Sequence, residues 1–249
     1  MPKQLCAANW KMHKSPTEAE AFFDELKSSD YKCAPDQLLF FVPDVDLPAA
    51  ASSLTDMQMG WGPQNISTED QGAFTGETSP MICKSMGATH ALIGHSERRQ
   101  LFGEDNSQVA LKLKAAVKNN LIPVVCIGEL LVQRDAGSTL DVLRQQLTEG
   151  LSGFKGDAKN LVIAYEPVWA IGTGKVATPE MAEETHVGVR AILADIFDSS
   201  TASEMTILYG GSVKPENAAS LIEQKNIDGF LVGGASLKVQ SFLGIAQVI

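Results

Sequence analysis

The segment Leu38-Leu39-Phe40-Phe41-Val42 is entirely apolar. A second segment, Pro123-Val124-Val125-Cys126-Ile127, has the same character. Nearly continuous apolar runs of this length are typical of parallel strands that are buried on both faces. The two segments therefore predict an α/β protein built on a parallel sheet.

Runs of this kind alternate with longer helical patterns, and the cycle occurs eight times along the chain. The predicted strands are residues 4–10, 38–43, 57–63, 90–93, 122–127, 161–165, 206–209 and 229–232. No linker rich in proline, glycine or serine and no charge block divides the chain. We expect residues 1–249 to form a single-domain (β/α)8 barrel, with an open doubly wound sheet as the alternative fold.

Three helix starts can be read from capping residues followed by proline. Ser15-Pro16 precedes the helical pattern 17–27, and Thr178-Pro179 opens a long segment that reaches Phe197. Lys214-Pro215 precedes a third helix that extends to Glu223. Serine and threonine suit the N-cap position, and proline suits the first helical turn.

Composition narrows the class of protein. The formal net charge of −10 argues against a nucleic-acid-binding protein, which needs a basic face, but it allows a local site for a small anion. We expect no signal peptide and no membrane span, because no apolar stretch is long enough. The four cysteines form no C-x-x-C pair, which indicates reduced thiols in a cytoplasmic protein.

Ionisable side chains follow three of the predicted strands. Asn9 and Lys11 follow the first, His95 the fourth and Glu166 the sixth. In a barrel, the carboxyl ends of all strands meet at one mouth, where chemistry is carried out. Alone, each residue is most simply a surface or structural group, but together they predict a catalytic site.

The late loops are rich in glycine. Gly210-Gly211-Ser212 follows the seventh predicted strand, and Gly233-Gly234 follows the eighth. Backbone N–H groups at glycine can approach an anion closely, and barrels often bind phosphate at this place. The pattern favours a phosphate site, although each pair could also be only a tight turn.

No motif indicates a cofactor. The sequence has no Walker-type loop, no G-x-G-x-x-G after the first strand and no H-E-x-x-H, and its four histidines lack the spacing of metal ligands. We therefore predict a reaction that needs neither metal nor nucleotide nor flavin.

Five segments, in this order along the chain, resemble the signature segments of the triosephosphate isomerase family. They are residues 8–12 (ANWKM), 94–99 (GHSERR), 164–174 (AYEPVWAIGTG), 209–213 (YGGSV) and 229–235 (GFLVGGA). The resemblance covers essentially the whole chain. It implies an isomerase of glycolysis and gluconeogenesis that interconverts dihydroxyacetone phosphate and D-glyceraldehyde 3-phosphate through an enediolate.

The resemblance also implies roles for the catalytic residues. Glu166 is the base that moves a proton between two substrate carbons, and burial would raise its pKa towards the working pH. His95 polarises the carbonyl as a neutral imidazole, a property for which this family is a standard example. Lys11 supplies a positive charge, and Asn9 adds a hydrogen bond near the developing oxyanion.

Further residues support these groups in the family. Glu97 is expected to partner Lys11, and Ile171 and Leu231 are expected to cover Glu166. Phosphate would be held by backbone N–H groups of Gly172, Ser212, Gly233 and Gly234. Residues 167–177 resemble a lid that closes over the substrate and excludes water.

The resemblance implies a homodimer as well. The loop 65–79 is long for a βα connection, and in the family it reaches into a second subunit, with the position of Thr75 near the partner's active site. Family positions also predict an ion pair between Arg190 and Asp228. One departure is Leu130-Leu131-Val132, where the family is usually more polar.

Two rival functions fit the same residues less well. A phosphosugar aldolase could use Lys11 to form a Schiff base, and a non-catalytic barrel could bind a phosphosugar. A mere binder has no need for Glu166 and His95 together.

Overall fold

The computed structural model describes residues 2–170 and 177–249, and eight parallel strands lie within them. The strands are β1 (Leu5–Asn9), β2 (Leu38–Val42), β3 (Gly60–Pro63), β4 (His90–Ile93), β5 (Ile122–Ile127), β6 (Val162–Tyr165), β7 (Thr206–Tyr209) and β8 (Gly229–Val232). The sheet order is β3-β2-β1-β8-β7-β6-β5-β4. The first strand therefore pairs with the last, as a (β/α)8 barrel requires, and the open doubly wound alternative is wrong.

The barrel is nearly closed between β3 and β4. The Thr89 N–H donates to the Trp61 carbonyl over 2.9 Å, and the Thr89 hydroxyl accepts from the Trp61 N–H. At Gly62 a Cβ atom would collide with the His90 carbonyl oxygen, so only glycine allows the two strands to come so close.

The strand residues pack into two layers. Leu39 and Phe41 of β2 belong to the cluster inside the barrel, whereas Leu38, Phe40 and Val42 belong to the cluster between the sheet and the helices. All five are buried. Burial on both faces explains why the sequence of this strand does not alternate with polar residues.

Helices connect the strands around the outside. They are α1 (Pro16–Ser28), α2 (Leu47–Leu54), α3 (Pro80–Ser85), α4 (Ser96–Leu101), α5 (Asn106–Lys118), α6 (Leu131–Asp135), α7 (Thr139–Gly150), α8 (Pro179–Ile196), α9 (Ser199–Glu204), α10 (Pro215–Ile222) and α11 (Val239–Ala246). Short 3₁₀ turns occupy Pro35–Gln37, Asp44–Asp46, Ala158–Asn160, Val168–Ala170 and Gly234–Leu237.

The predicted helix starts are confirmed. Ser15 and Glu18 form a capping box at α1, in which the Ser15 N–H donates to the Glu18 carboxylate over 2.8 Å. The Thr178 hydroxyl accepts from the Met181 N–H at the start of α8. These local bonds satisfy N–H groups that the first helical turn cannot pair by itself.

The predicted third strand is too long. Residues 57–59 form a turn after α2, with Gln58 at a φ of 58°, and β3 begins only at Gly60. The Met59 N–H bonds back to the Leu54 carbonyl, which ends the helix and keeps these residues out of the sheet. The apolar character of Met57 and Met59 made the run look like a strand.

The predicted ion pair between Arg190 and Asp228 is present, with 2.7 Å between Arg190 Nη2 and Asp228 Oδ2. The Arg190 guanidinium also donates to the carbonyl of Ala202, and the Asp228 carboxylate accepts from the Ile207 N–H. The pair thus ties α8 and α9 to β7 and β8 near the amino-terminal end of the barrel.

Candidate active site

A cavity of about 350 Å3 lies at the carboxyl ends of the strands. It is lined by residues at or just after the carboxyl ends of β1, β4, β6, β7 and β8, including Asn9, Lys11, His95, Glu166, Ser212, Leu231, Gly233 and Gly234. These are all the predicted site residues within the described part of the chain except Glu97, which borders the neighbouring groove. Ile171, Gly172 and the moving part of the predicted lid fall in residues 171–176, outside the described residues.

Glu166 lies immediately after β6 and is almost completely buried, at 2% exposure. Its backbone N–H continues the sheet by donating to the Ile127 carbonyl over 2.7 Å. Carboxylate oxygen Oε1 lies 2.9 Å from His95 Nε2, and Oε2 accepts from the Ser96 N–H over 3.0 Å. The sheet thus fixes the backbone of Glu166, and the turn after β4, which contains His95 and Ser96, holds its carboxylate.

The pKa shifts of this pair differ from those the resemblance implied. Burial by itself would raise the pKa of Glu166, but attraction and hydrogen bonding by His95 and the Ser96 N–H outweigh burial and lower it. Burial would also lower the pKa of His95, but the Glu166 carboxylate outweighs burial and raises it. The expected rise in the pKa of Glu166 is therefore wrong for the arrangement seen here, because the two side chains are bonded directly to each other.

His95 stands at the N-cap of α4, where its Nδ1 accepts a bond of 3.3 Å from the Glu97 N–H. An imidazole nitrogen that accepts a hydrogen bond carries no proton. The remaining ring proton then lies on Nε2, which faces Glu166 and the cavity. The helix start thus selects the tautomer that presents a donor to the site.

Lys11 adopts a left-handed backbone conformation, with φ at 54°. Two side-chain amides hold this turn: Asn9 Oδ1 accepts from the Lys11 N–H over 3.1 Å, and Gln64 Nε2 donates to the Lys11 carbonyl over 2.9 Å. The expected contact with Glu97 is present, since Lys11 Nζ lies 2.6 Å from its carboxylate. The ammonium group therefore reaches the cavity from a braced position.

The glycine-rich loops after β7 and β8 also line the cavity. Gly234 begins the short 3₁₀ helix that ends at Leu237, and a Cβ atom added there would meet no atom within 4 Å. The backbone of this turn is accordingly open to the cavity. Together with Ser212 after β7, it brings main-chain groups to the place where barrels commonly bind phosphate.

Comparison with known proteins identifies the family. The family model described as triosephosphate isomerase matches residues 4–249. Proteins named triosephosphate isomerase from Bdellovibrio bacteriovorus and Citrifermentans bemidjiense are 49% and 46% identical to the chain. The alignments cover 99% of this chain in both cases, and 100% and 99% of those proteins. A third, from Fusobacterium nucleatum, is 44% identical over 99% of both chains.

The chain belongs to the triosephosphate isomerase family.

In this triosephosphate isomerase chain, Glu129 is a buried site residue that sequence reasoning missed. One of its carboxylate oxygens lies 2.8 Å from Trp169 Nε1, 3.1 Å from the Tyr165 hydroxyl and 3.2 Å from Arg134. Burial and the nearby Glu129 charge raise the pKa of Tyr165, which keeps the phenol neutral as a donor. Glu129 thus connects the end of β5 to residues on both sides of Glu166. An acidic residue two positions after a buried strand was the available signal.

The departure at Leu130-Leu131-Val132 lies at the surface. Leu130 precedes α6, the other two residues begin it, and all three side chains are exposed. Leu130 also lines a cavity of about 330 Å3 on the far side of Glu166. None of the three lines the cavity that holds Lys11 and Ser212.

A second, wider groove adjoins the active site of this triosephosphate isomerase family member. Its volume is about 520 Å3, and its walls include the apolar side chains of Met12, Val45 and Phe102. Asn9, Lys11, His95 and Glu97 border the same groove. Any group that fills it would therefore touch the residues that line the catalytic cavity.

None of the helices in the described residues is both long and apolar enough to cross a membrane. Nor do residues 2–170 and 177–249 bring together three or more histidine, cysteine, aspartate or glutamate side chains that could hold a metal ion.

Proposed function

We propose that this member of the triosephosphate isomerase family interconverts dihydroxyacetone phosphate and D-glyceraldehyde 3-phosphate, the isomerisation step of glycolysis and gluconeogenesis. The observation that carries the proposal is the 2.9 Å contact between Glu166 and His95 in the cavity that Lys11 and the glycine-rich loops also line. A base, a hydrogen-bond donor and a cation then surround one small phosphorylated substrate.

Glu166 is the proposed base. It takes a proton from the carbon beside the substrate carbonyl and returns it to the neighbouring carbon, so that the carbonyl moves along the chain by one position. A substrate oxygen that accepts the His95 Nε2–H competes with Glu166 for that donor. Loss of that bond removes one of the causes that lower the pKa of Glu166, and the higher proton affinity suits a general base.

His95 is the proposed electrophile. Its Nε2–H can donate to the carbonyl oxygen and stabilise the negative charge that develops there. Because Nδ1 accepts from the Glu97 N–H, the ring can shuttle a proton through Nε2 alone. Nε2 can donate a proton to one enediolate oxygen and accept a proton from the other.

Lys11 and Asn9 are proposed to stabilise the negative charge of the enediolate and the phosphate. Lys11 Nζ brings a positive charge towards both the enediolate and the phosphate, and Glu97 orients it. Asn9 is nearly buried, at 4% exposure, and its carbonyl oxygen accepts from the Lys11 N–H. The amide NH2 of Asn9 is left to donate to a substrate oxygen.

Phosphate is assigned to the backbone N–H groups of Ser212, Gly233 and Gly234, with Gly172 expected to join them from the lid. Leu231, which is buried and lines the cavity, and Ile171 on the lid are the apolar groups proposed to shield Glu166. No metal or organic cofactor is needed for this chemistry.

A coupled assay with glyceraldehyde 3-phosphate tests the reaction directly. The aldolase alternative makes a different prediction, because a Schiff base on Lys11 could be trapped by borohydride in the presence of dihydroxyacetone phosphate. We expect rapid isomerisation and no reduced adduct on Lys11. An adduct without isomerisation would favour the aldolase over the isomerase. If neither isomerisation nor an adduct is observed, the protein only binds a phosphosugar.

We also propose that the protein is a homodimer formed through the loop 65–79. Residues 71–77 at the tip of this loop are all exposed, among them Phe74 and Thr75. The groove lined by Met12, Val45 and Phe102 has the apolar walls that such a loop from a second copy would fill. Burial of large exposed apolar side chains favours association.

We place the enzyme in the cytoplasm and treat residues 1–249 as one catalytic domain. The four cysteines, Cys6, Cys33, Cys83 and Cys126, are all buried, and none is in a disulfide. Free thiols fit a reducing compartment. A negative formal charge of −10 likewise fits a protein that binds neither nucleic acid nor an anionic membrane surface.

A further inference from the structure

Among the described residues, no strand pairs with the last part of β5 on the side of β4. The pairing of β4 with β5 reaches only as far as Ile93 and Val125. Gly94 follows β4 in a left-handed conformation, with φ at 71°. β5 continues to Ile127, where it is still paired with β6. Backbone groups after Val125 that point away from β6 therefore need partners other than a strand.

Two side chains supply these partners. Arg99 Nη2 donates to the Cys126 carbonyl over 3.1 Å. Gln146 binds both backbone groups of Gly128: its Oε1 accepts from the Gly128 N–H over 2.8 Å, and its Nε2 donates to the Gly128 carbonyl over 2.9 Å. A carboxamide has the same donor and acceptor as a peptide group, so Gln146 continues the hydrogen-bond pattern of the sheet where β4 has ended.

The other side of the same segment carries Glu166. The Glu166 N–H donates to the Ile127 carbonyl over 2.7 Å. Two residues further on, the Val168 N–H donates to the Glu129 carbonyl over 3.2 Å. A Cβ atom at Gly128 would lie 1.9 Å from the Glu166 carbonyl oxygen, so the two backbones are in direct contact. The side chain that holds Gly128 therefore also holds the backbone of Glu166.

Gln146 reaches β5 from a helix that is packed on the barrel. It lies on α7, where Leu143 and Leu147 are buried. Its own side chain is half-buried and lines the cavity of about 330 Å3 on the far side of Glu166. The adjacent Gln145 is exposed and bonds only Glu149 of the same helix, over 3.0 Å. Of these two neighbouring glutamines, only Gln146 connects α7 to the site.

We propose that Gln146 is a positioning residue for proton transfer by Glu166. Its amide holds the end of β5, and β5 holds the backbone from which the Glu166 carboxylate reaches His95 and the substrate. The inference rests on the proposed function, because it takes Glu166 as the base. A displacement of about 1 Å can cost about 100-fold in rate, so loss of the two amide bonds should lower turnover. The groups proposed to bind phosphate follow β7 and β8, so substrate affinity should change little.

Gln146→Met tests the two bonds, because it keeps the length and helix propensity of the side chain but removes the amide. We expect kcat to fall by about ten- to 100-fold, while KM stays within about twofold of the wild-type value. The matched control is Gln145→Met, the same change at the adjacent, exposed position, which should leave both constants unchanged. Circular dichroism at the assay temperature measures the folded fraction of each protein, and we expect it to equal that of the wild type.

Gln146→Glu gives a readout that a loss of stability does not produce. The introduced carboxylate can accept from the Gly128 N–H but cannot donate to the Gly128 carbonyl, whereas the protonated carboxyl group can do both. Its kcat relative to the wild type at the same pH should rise by about threefold or more between about pH 8 and pH 5, because carboxyl groups in water titrate at about pH 4.3. The relative kcat of Gln146→Met should not change with pH, since methionine does not titrate.

The inference is overturned if Gln146→Met keeps kcat within about twofold of the wild type, if its kcat falls only as much as its folded fraction, or if a higher KM accounts for the loss. A relative kcat of Gln146→Glu that does not rise as the pH falls also overturns it, and this result decides alone if Gln146→Met does not fold. A wild type that isomerises normally beside an unaffected Gln146→Met refutes the role of Gln146 alone. A wild type without isomerase activity refutes the proposed function and the role of Gln146 with it.

Discussion

At the scale of single residues, the direct bond between Glu166 and His95 decides the protonation of the site. Both side chains are buried, and the bond joins Glu166 Oε1 to His95 Nε2. That bond lowers the pKa of Glu166 against the effect of burial. A substrate that takes the His95 donor for itself would remove that bond, so substrate binding would raise the proton affinity of Glu166 and make it a better base.

Replacing Glu166 by glutamine should preserve the fold and abolish most of the turnover. The amide oxygen can still accept from the Ser96 N–H, but the side chain can no longer take a proton from carbon. General-base catalysis contributes about 10²–10⁴-fold, and we expect a loss at or beyond the upper value. The coupled assay and a thermal unfolding curve measure the two effects. Glu20→Gln, at an exposed position on α1, is the control, and a Glu166 variant with a tenth of wild-type activity would refute the assignment.

At the scale of secondary-structure elements, α5 braces the turn that carries His95. Glu104, between α4 and α5, accepts from the Gly94 N–H over 3.1 Å and from Arg98 and Lys112 over 2.7 and 2.6 Å. Lys112 also donates to Asn65, at the base of the loop 65–79. Glu104 thus links the turn that carries His95 to α5, and Lys112 of α5 links this carboxylate to the loop 65–79.

Glu104→Gln should destabilise the protein in a pH-dependent way. Burial would raise the pKa of Glu104, but the bonds from Lys112 and Arg98 outweigh burial and lower it. A carboxyl group whose pKa is lower in the folded state stabilises fully above its unfolded pKa of about 4.3, and this stabilisation is lost as the pH falls through the folded value. We expect a loss of about 3–5 kcal/mol at about pH 7, because Lys112 is left buried without its partner.

Denaturant unfolding at fixed protein concentration measures this difference. The difference in unfolding free energy between wild type and Glu104→Gln should narrow as the pH falls below the unfolded value of about 4.3 and through the lower folded pKa. Glu216→Gln, on the first turn of α10, serves as an exposed control. A gap that is constant from about pH 7 to pH 3.5 would mean that the charge of Glu104 contributes nothing.

The predicted lid, residues 167–177, follows directly after Glu166. Residues 171–174 lie outside the described residues, but the described Trp169 just before them is held by Glu129. Deleting residues 171–174 should damage chemistry more than folding, because two of the four residues are glycines, which have no side chain to bury. Isomerisation should fall by orders of magnitude, and a larger share of turnovers should release methylglyoxal and inorganic phosphate. An unchanged ratio of phosphate released to product isomerised would show that the lid only aids binding.

At the scale of the whole molecule, the exposed apolar side chains of the loop 65–79 and of the groove beside the active site favour a second subunit. Phe74 at the tip of the loop 65–79 and Phe102 in the groove wall are 49% and 68% exposed. The groove also borders Lys11 and His95, so a loop that fills it would brace catalytic side chains. Catalytic side chains must be held within about 0.5 Å of the positions that the reaction requires, so we expect contacts from such a loop to increase turnover.

Shortening the loop 65–79 at its exposed tip, residues 71–77, should give a folded monomer with low activity. Analytical ultracentrifugation at micromolar concentration measures the assembly, and the coupled assay measures turnover. The base of the loop should survive, because Asp70 stays paired with Lys118 and Asn119 outside the deleted part. A full-length protein that sediments as a monomer and has normal activity would contradict the proposed dimer.

Much of the fold followed from local sequence. The apolar run at Leu38–Val42 was predicted as a buried parallel strand, and Ser15-Pro16 as a helix start, because burial and capping depend on a few adjacent residues. The third strand was extended too far, because Met57 and Met59 are apolar but lie in a turn that ends α2. Apolar character alone does not distinguish a strand from a buried turn.

The sequence by itself determined the eight strands and the placement of Asn9, Lys11, His95 and Glu166 at their carboxyl ends, since those depend on order along the chain. Only the tertiary structure decided that Glu166 bonds His95, that Glu129 holds Trp169, and that Gln146 binds Gly128. These facts depend on residues that are distant in sequence. A pKa and a hydrogen-bond partner are properties of the surroundings in space, which the order of residues does not state.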